Sequence, residues 1–188
     1  MLSKHAFAYL LSHGVPALIS FVSIALFTRL LSTEEYGTYV VVFAVAAMIN
    51  AVVFEWLKQS LLRFYPKYQD QTSLFETIKL SFLGLALTTL IVGVIANWLL
   101  DGFTLLHLLL CLLLSWAQSW NGINLTLMRA KLNPRTYGYL SFSRTTLTLV
   151  LSTALIYAGL AEVGLLLGWI LAFGITLALR LGVSGDLS

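Results

Sequence analysis

Residues 28–39 read TRLLSTEEYGTY and place Arg29, Glu34 and Glu35 between two apolar runs. FAYLLSHGVPALISFVSIALF (7–27) precedes them and VVVFAVAAMINAVVF (40–54) follows. Charge is scarce in this chain: 10% of its 188 residues are charged and 59% are hydrophobic. The mean hydropathy is +0.90. A soluble domain carries about 25% charged residues, and this chain lacks the polar residues to coat a core of its size. The charged stretch therefore reads as the turn of a hairpin between two membrane helices. Ser32 or Thr33 can cap the second helix, with Glu34 and Glu35 as solvated acids in its first turn, where the helix dipole favours anions.

Working outward from this hairpin, six spans are expected, at about 7–30, 38–56, 80–100, 105–128, 140–158 and 163–179. Each holds about 17 to 25 residues, enough to cross a hydrocarbon layer of about 30 Å as a helix. A β-barrel would need shorter alternating segments. The expected fold is thus all-α, an integral membrane bundle of six transmembrane helices forming a single lobe over 1–188. The first span is too long for a signal peptide. Gly14 and Pro16 interrupt it, as bends do in helices that line cavities.

The basic residues set the expected orientation. Lys4, Lys58, Arg63, Lys67, Lys79, Arg129, Lys131, Arg135, Arg144 and Arg180 all fall on one side of the six-span scheme, and only Arg29 falls on the other. The positive-inside rule puts the ten, and both termini, in the cytoplasm. Residues 59–77 form the longest expected connection, with Phe64 and Tyr65 at the headgroup level and Arg63 and Lys67 towards anionic lipid. KLNPRTYGY (131–139) reads as a tight cytoplasmic turn in which Pro134 stops a helix.

Dispersed basic residues argue for topology and against nucleic acid. His5, His13 and His107 are scattered without metal-ligand spacing, and no phosphate-binding glycine loop occurs. No metal, cofactor or catalytic constellation is expected, and the chain is not read as an enzyme. Cys111 cannot form an internal disulfide and reads as a packing or lipid-facing residue.

Polar residues inside the spans carry more information, because each is costly in lipid unless paired or wetted. Ser115, Gln118, Asn121 and Asn124 drift across one broad face of the fourth span. They either bond to neighbouring helices or line a water-filled cavity. Arg144, in SFSRTTLT, stands about one turn inside the fifth span. It either snorkels to the surface or forms a cytoplasm-facing anion site, since a guanidinium stays charged and pairs bidentately with phosphate. Glu55 and Lys58 can pair across a helix turn. Gly164 and Gly168 in the sixth span, and Ala47 and Ala51 in the second, mark close helix packing.

The segment YLLSHGVPALISFVSIALFTRLLSTEEYGTYVVVFAVAAMINAVVFEWLKQSLLRFYPKY (9–68) resembles the start of bacterial polysaccharide-biosynthesis flippases. These export O-antigen, capsule or exopolysaccharide units and are related to the multidrug and toxin extruders. The shared features are the Gly-x-Pro break, the RLLSxEEYGxY hairpin and the LLRFYPxY segment. The resemblance implies a multi-pass protein of the bacterial inner membrane that moves an undecaprenyl-pyrophosphate-linked oligosaccharide to the outer leaflet. It implies alternating access between two six-helix lobes, and so a truncated product, a fragment, or one half of a pair with a second lobe as partner. It also implies basic residues that attract the pyrophosphate, with Arg144 best placed and Arg29 and Arg63 as further candidates. Gln118 and Asn121 join them as substrate contacts if their face lines the cavity. Three other readings stand beside this one: a cation-coupled drug antiporter fragment, a non-transporting scaffold subunit of a polysaccharide assembly complex, and, more remotely, a membrane glycosyltransferase.

Overall fold

The computed structural model describes residues 2–67, 71–100, 103–130 and 134–185, and among them there is no strand. In chain order the helices are α1 (Leu2–Leu30), α2 (Thr33–Ile49), α3 (Glu55–Phe64), α4 (Gln71–Leu100), α5 (Leu105–Ala130), α6 (Pro134–Leu155) and α7 (Ala161–Gly185). A π-helical turn, Asn50–Phe54, joins α2 to α3 without a break, and a tight kinked turn, Ile156–Leu160, joins α6 to α7.

The opening hairpin turns between Leu30 and Thr33. Ser32 Oγ accepts the Glu35 N–H at 3.3 Å, and a Glu35 carboxylate oxygen accepts the Ser32 N–H at 2.7 Å. This reciprocal cap satisfies two backbone donors at the start of α2. Glu35 is therefore a capping residue rather than merely a solvated acid.

Three connections differ from the sequence expectation. α1 runs unbroken through Gly14 and Pro16, and Ser20 Oγ donates to the Pro16 carbonyl at 2.9 Å. The proline withholds one donor, from the carbonyl four residues earlier, and a membrane helix tolerates that loss. The long connection at 59–77 contracts, because 59–64 and 71–77 are helical. Leu57 and Leu61 are buried one turn apart while Trp56, Gln59, Leu62 and Arg63 face outward, so the helix continues past the apolar run. Pro134 begins α6 instead of ending a helix, because the first helical position needs no N–H donor. The expected turn residues 131–133 lie outside the described residues, as does Asp101.

The last stretch is two helices. Gly159 has φ +87° and Ala161 φ +43°, so the chain leaves helical geometry there. α6 ends at Leu155, and 156–158, expected within a span, belong to the turn. Ser152 Oγ donates to the Leu165 carbonyl at 3.3 Å. A Cβ built on Gly164 lies 3.0 Å from the Leu155 carbonyl group. Pairs 152–165 and 155–164 close in on the turn from both sides, so α6 and α7 form an antiparallel hairpin.

The chain forms two compact units, one of 1–39 with 134–188 and the other of 40–133. In the first, Phe27 and Leu31 from the end of α1 pack with Leu165, Trp169, Ile156 and Ala161 of the hairpin. In the second, α5 is the most buried helix and packs against the π turn, α3 and α4. Phe54, Phe82 and Trp120 follow one another at centroid distances of 5.3 and 5.1 Å.

Polarity is inverted in this second unit. On α4, Leu80, Leu83, Leu87, Ile91 and Trp98 are all more than half exposed. On α5, Ser115, Ser119, Asn121 and Asn124 are buried. Three stretches, Thr33–Phe64, Thr72–Leu99 and Thr136–Leu179, are long and apolar enough to cross a membrane. The outward apolar faces fit a protein surrounded by hydrocarbon.

Candidate functional site

The polar interior of the second unit centres on Asn50, where the π turn begins. Its Oδ1 accepts from Lys58 Nζ at 3.4 Å and lies 3.1 Å from Ser119 Oγ on α5. Ser119 Oγ is also 2.7 Å from the Ser115 carbonyl, and its one proton serves one acceptor at a time. Lys58 pairs with the Glu55 carboxylate, the ion pair expected across one helix turn, and Gln59 Nε2 donates to the same carboxylate at 3.3 Å. The Lys58 side chain is only 16% exposed. Its stem crosses α5 at Gly122, where an added Cβ would lie 3.1 Å from Lys58 Cδ. A cation is thus laid over a glycine and held by a carboxylate and an amide.

The polar face of α5 splits its work between helices. Ser115 Oγ donates to the Leu112 carbonyl and Asn124 Nδ2 to the Trp120 carbonyl, each at 2.8 Å and each within α5. The bonds between helices come instead from Ser119 and from Trp116 Nε1, which donates to Thr89 Oγ1 on α4 at 3.0 Å. Asn124 Oδ1 is buried without a hydrogen-bond partner. Gln118 is half-buried and Asn121 buried, one turn apart on the same helix.

Arg144 has a different setting. It is half-buried on α6, and its guanidinium carbon stands 5.9 Å from the centroid of the Phe173 ring on α7. That distance is at the limit of about 6 Å for a cation–π contact. Among the described residues the ion pairs are Lys58–Glu55 and Lys79–Glu76, and neither involves Arg144. The neighbouring hydroxyls bond their own helix: Thr145 to the Ser141 carbonyl and Thr148 to the Arg144 carbonyl, both at 2.9 Å.

The sequence-derived candidates are divided between the two units. Arg29 and Arg144 belong to the first unit, and Arg63, Gln118 and Asn121 to the second. Within the first unit, the end of α1 clusters with Leu165, and Ile156 at the hairpin turn packs on that cluster. Arg144 lies 12 residues before that position, about 18 Å along α6. Arg29 is exposed in the last turn of α1, at the opposite end of the hairpin from Arg144. Arg63 is exposed, with its guanidinium 5.7 Å from the Phe64 ring. The residues not anticipated are Asn50, Ser119 and Gly122. Asn50 is a lone amide in the run AAMINAVVF, which was a readable signal.

Among the described residues, no group of three or more His, Cys, Asp or Glu residues is placed to hold a metal ion. Cys111 is buried, its Sγ 3.6 Å from the Val42 carbonyl, and packs within the unit. Compared with protein-family models, curated proteins and solved structures, the chain matches none.

Proposed function

We propose that this chain is a six-span lobe of a polysaccharide-biosynthesis flippase in the bacterial inner membrane, with both termini cytoplasmic. Paired with a second lobe, it moves an undecaprenyl-pyrophosphate-linked oligosaccharide between leaflets. The observation that carries the reading is Arg144. A guanidinium half-buried between apolar helices, with an aromatic ring beside it and no carboxylate bound among the described residues, suits a diphosphate. The six crossings correspond to α1, α2 with α3, α4, α5, α6 and α7. The orientation rests on the ten basic residues that this scheme leaves on one side.

The antiporter reading needs an acid available to a coupling ion, and Glu55 is already paired with Lys58 and Gln59. The scaffold reading has one observation in its favour: the cleft between α2, α4 and α5 is lined almost wholly by carbon.

The test uses cells whose surface polysaccharide depends on this chain together with its second lobe. A bidentate guanidinium contact is poorly replaced by an ammonium. Arg144→Lys is expected to weaken polysaccharide display and Arg144→Ala to abolish it at equal protein abundance. Wild-type display from Arg144→Ala would reduce Arg144 to a snorkelling anchor and favour the scaffold.

A further inference from the structure

Within the second unit a cleft of about 500 Å³ opens between α2 with its π turn, α4 and α5. Its walls include Met48, Val53, Val92 and Gly93, and its floor Cys111 and Leu112. The floor residues are buried, whereas Met48 and Val92 at the rim are each more than half exposed. The rim therefore continues into the outward apolar stripe of α4.

Two hydrogen bonds brace α4 at the ends of the cleft. Trp116 Nε1 on α5 donates to Thr89 Oγ1, and the Phe103 N–H donates to Asn97 Oδ1 at 2.8 Å. Between Thr89 and Asn97 lie eight residue steps, about 12 Å of helix. Midway stands Gly93, whose absent side chain would point at Leu112 and Leu108, with a Cβ 3.4 Å from Leu112 Cδ2. The braces hold the helices while the glycine leaves the space between them.

The threonine hydroxyl protons and the Asn97 amide oxygen around the space are already committed, and the rest of the lining is almost wholly carbon. Thr89 Oγ1 donates to the Ala86 carbonyl, Thr88 Oγ1 donates to the Gly84 carbonyl, and Asn97 Oδ1 accepts from Phe103. A water molecule needs two to four polar partners, so this lining does not hold water. Protein interiors do not leave such a volume empty, because every lining atom would lose its contacts. The cleft opens sideways onto a face that suits lipid, which places its filler alongside.

We infer that the cleft between α2, α4 and α5 is a binding groove for one acyl chain of a bilayer phospholipid, which completes the packing of α4 against α5. The inference stands apart from the flippase reading, since it invokes neither Arg144 nor an exported substrate.

The full chain is reconstituted in phosphatidylcholine vesicles in which some lipid carries a diazirine midway along one acyl chain. After irradiation, adducts are mapped by mass spectrometry. Adducts on the floor residues Cys111 and Leu112, besides those on the outward stripe at Leu83, Leu87 and Ile91, are the expected result. Adducts confined to the stripe would overturn the inference. Ala96→Phe and, separately, Val92→Trp fill the cleft and are expected to abolish floor adducts while stripe adducts persist. The stripe serves as the control for insertion and folding. Floor adducts that persist in both variants would show that the chain reaches α5 by another route and would overturn the groove.

Discussion

The two units close their helix interfaces by different means. In the hairpin α6–α7, a Cβ on Gly168 would overlap Ser152 Oγ and lie 2.6 Å from Ser152 Cα and N. Backbone meets backbone, and only hydrogen fits between. At Gly122 on α5 the space is taken by the Lys58 stem. One glycine accommodates a fixed wall and the other a movable side chain. Lipid offers helices little hydrophobic reason to associate, so contact comes from close packing or from polar bonds. At this seam the first unit sets backbone against backbone, with the Ser152–Leu165 hydrogen bond beside it. The second instead joins its helices through side chains, Ser119 to Asn50 and Trp116 to Thr89.

The largest expected effect tests the fixed wall. Gly168→Leu is expected to cost about 3 kcal/mol or more, because Ser152 main-chain atoms cannot retreat. It should lower the melting temperature in detergent further than Leu166→Ala, although Leu166 is itself fully buried. Equal shifts would show that α7 can re-seat and that the seam is not a backbone contact.

The movable side chain predicts rescue. Gly122→Leu should destabilise the second unit by about 1 kcal/mol, and Lys58→Ala should relieve that cost in the double variant. A double-mutant cycle on detergent melting reads the coupling directly. Additive effects would mean that Lys58 does not cross α5 at Gly122. No side-chain truncation should rescue Gly168→Leu, because the obstacle there includes main chain, and that contrast is the sharper half of the comparison.

The smallest effect is expected on the outer stripe. Leu87 is 59% exposed, and Leu87→Ala should change the melting midpoint by less than the equivalent of about 0.5 kcal/mol. A loss near that of Leu166→Ala would place a protein surface, rather than lipid, against α4.

The legible parts of the fold were those fixed by neighbours in sequence. Ser32 was expected to cap α2 and does, but Glu35, only three residues on, was read as a solvated acid and closes the other half of the cap. Glu55 and Lys58 have the same spacing and do pair. The apolar runs located the helices because period and length are local properties. Pro134 was misread because proline can end one helix or start the next, and local sequence alone did not decide between them. The connection at 59–77 was overestimated because hydropathy falls at the edge of an apolar run even when the helix continues with Leu57 and Leu61 inward. The site was less legible. Ser119 reaches Asn50 across 69 residues and beside a π turn, and no pattern in either segment announces the other. Arg144 was visible as a charge in an apolar run, but Phe173 as its neighbour depends on the hairpin register.

The packing of α1 has a consequence for the order of synthesis. Its Phe27 and Leu31 meet Leu165, more than 130 residues later in the chain. The second unit, 40–133, is continuous and is interposed between the two segments of the first. At translation rates of roughly 5–20 residues per second, α1 waits on the order of ten seconds for its partners. During that interval the nascent chain can complete the later unit while the earlier one remains half-made. Loss of α6 and α7 from a nascent chain would therefore leave the 40–133 unit intact and α1 unclaimed, a distinctive target for membrane quality-control proteases.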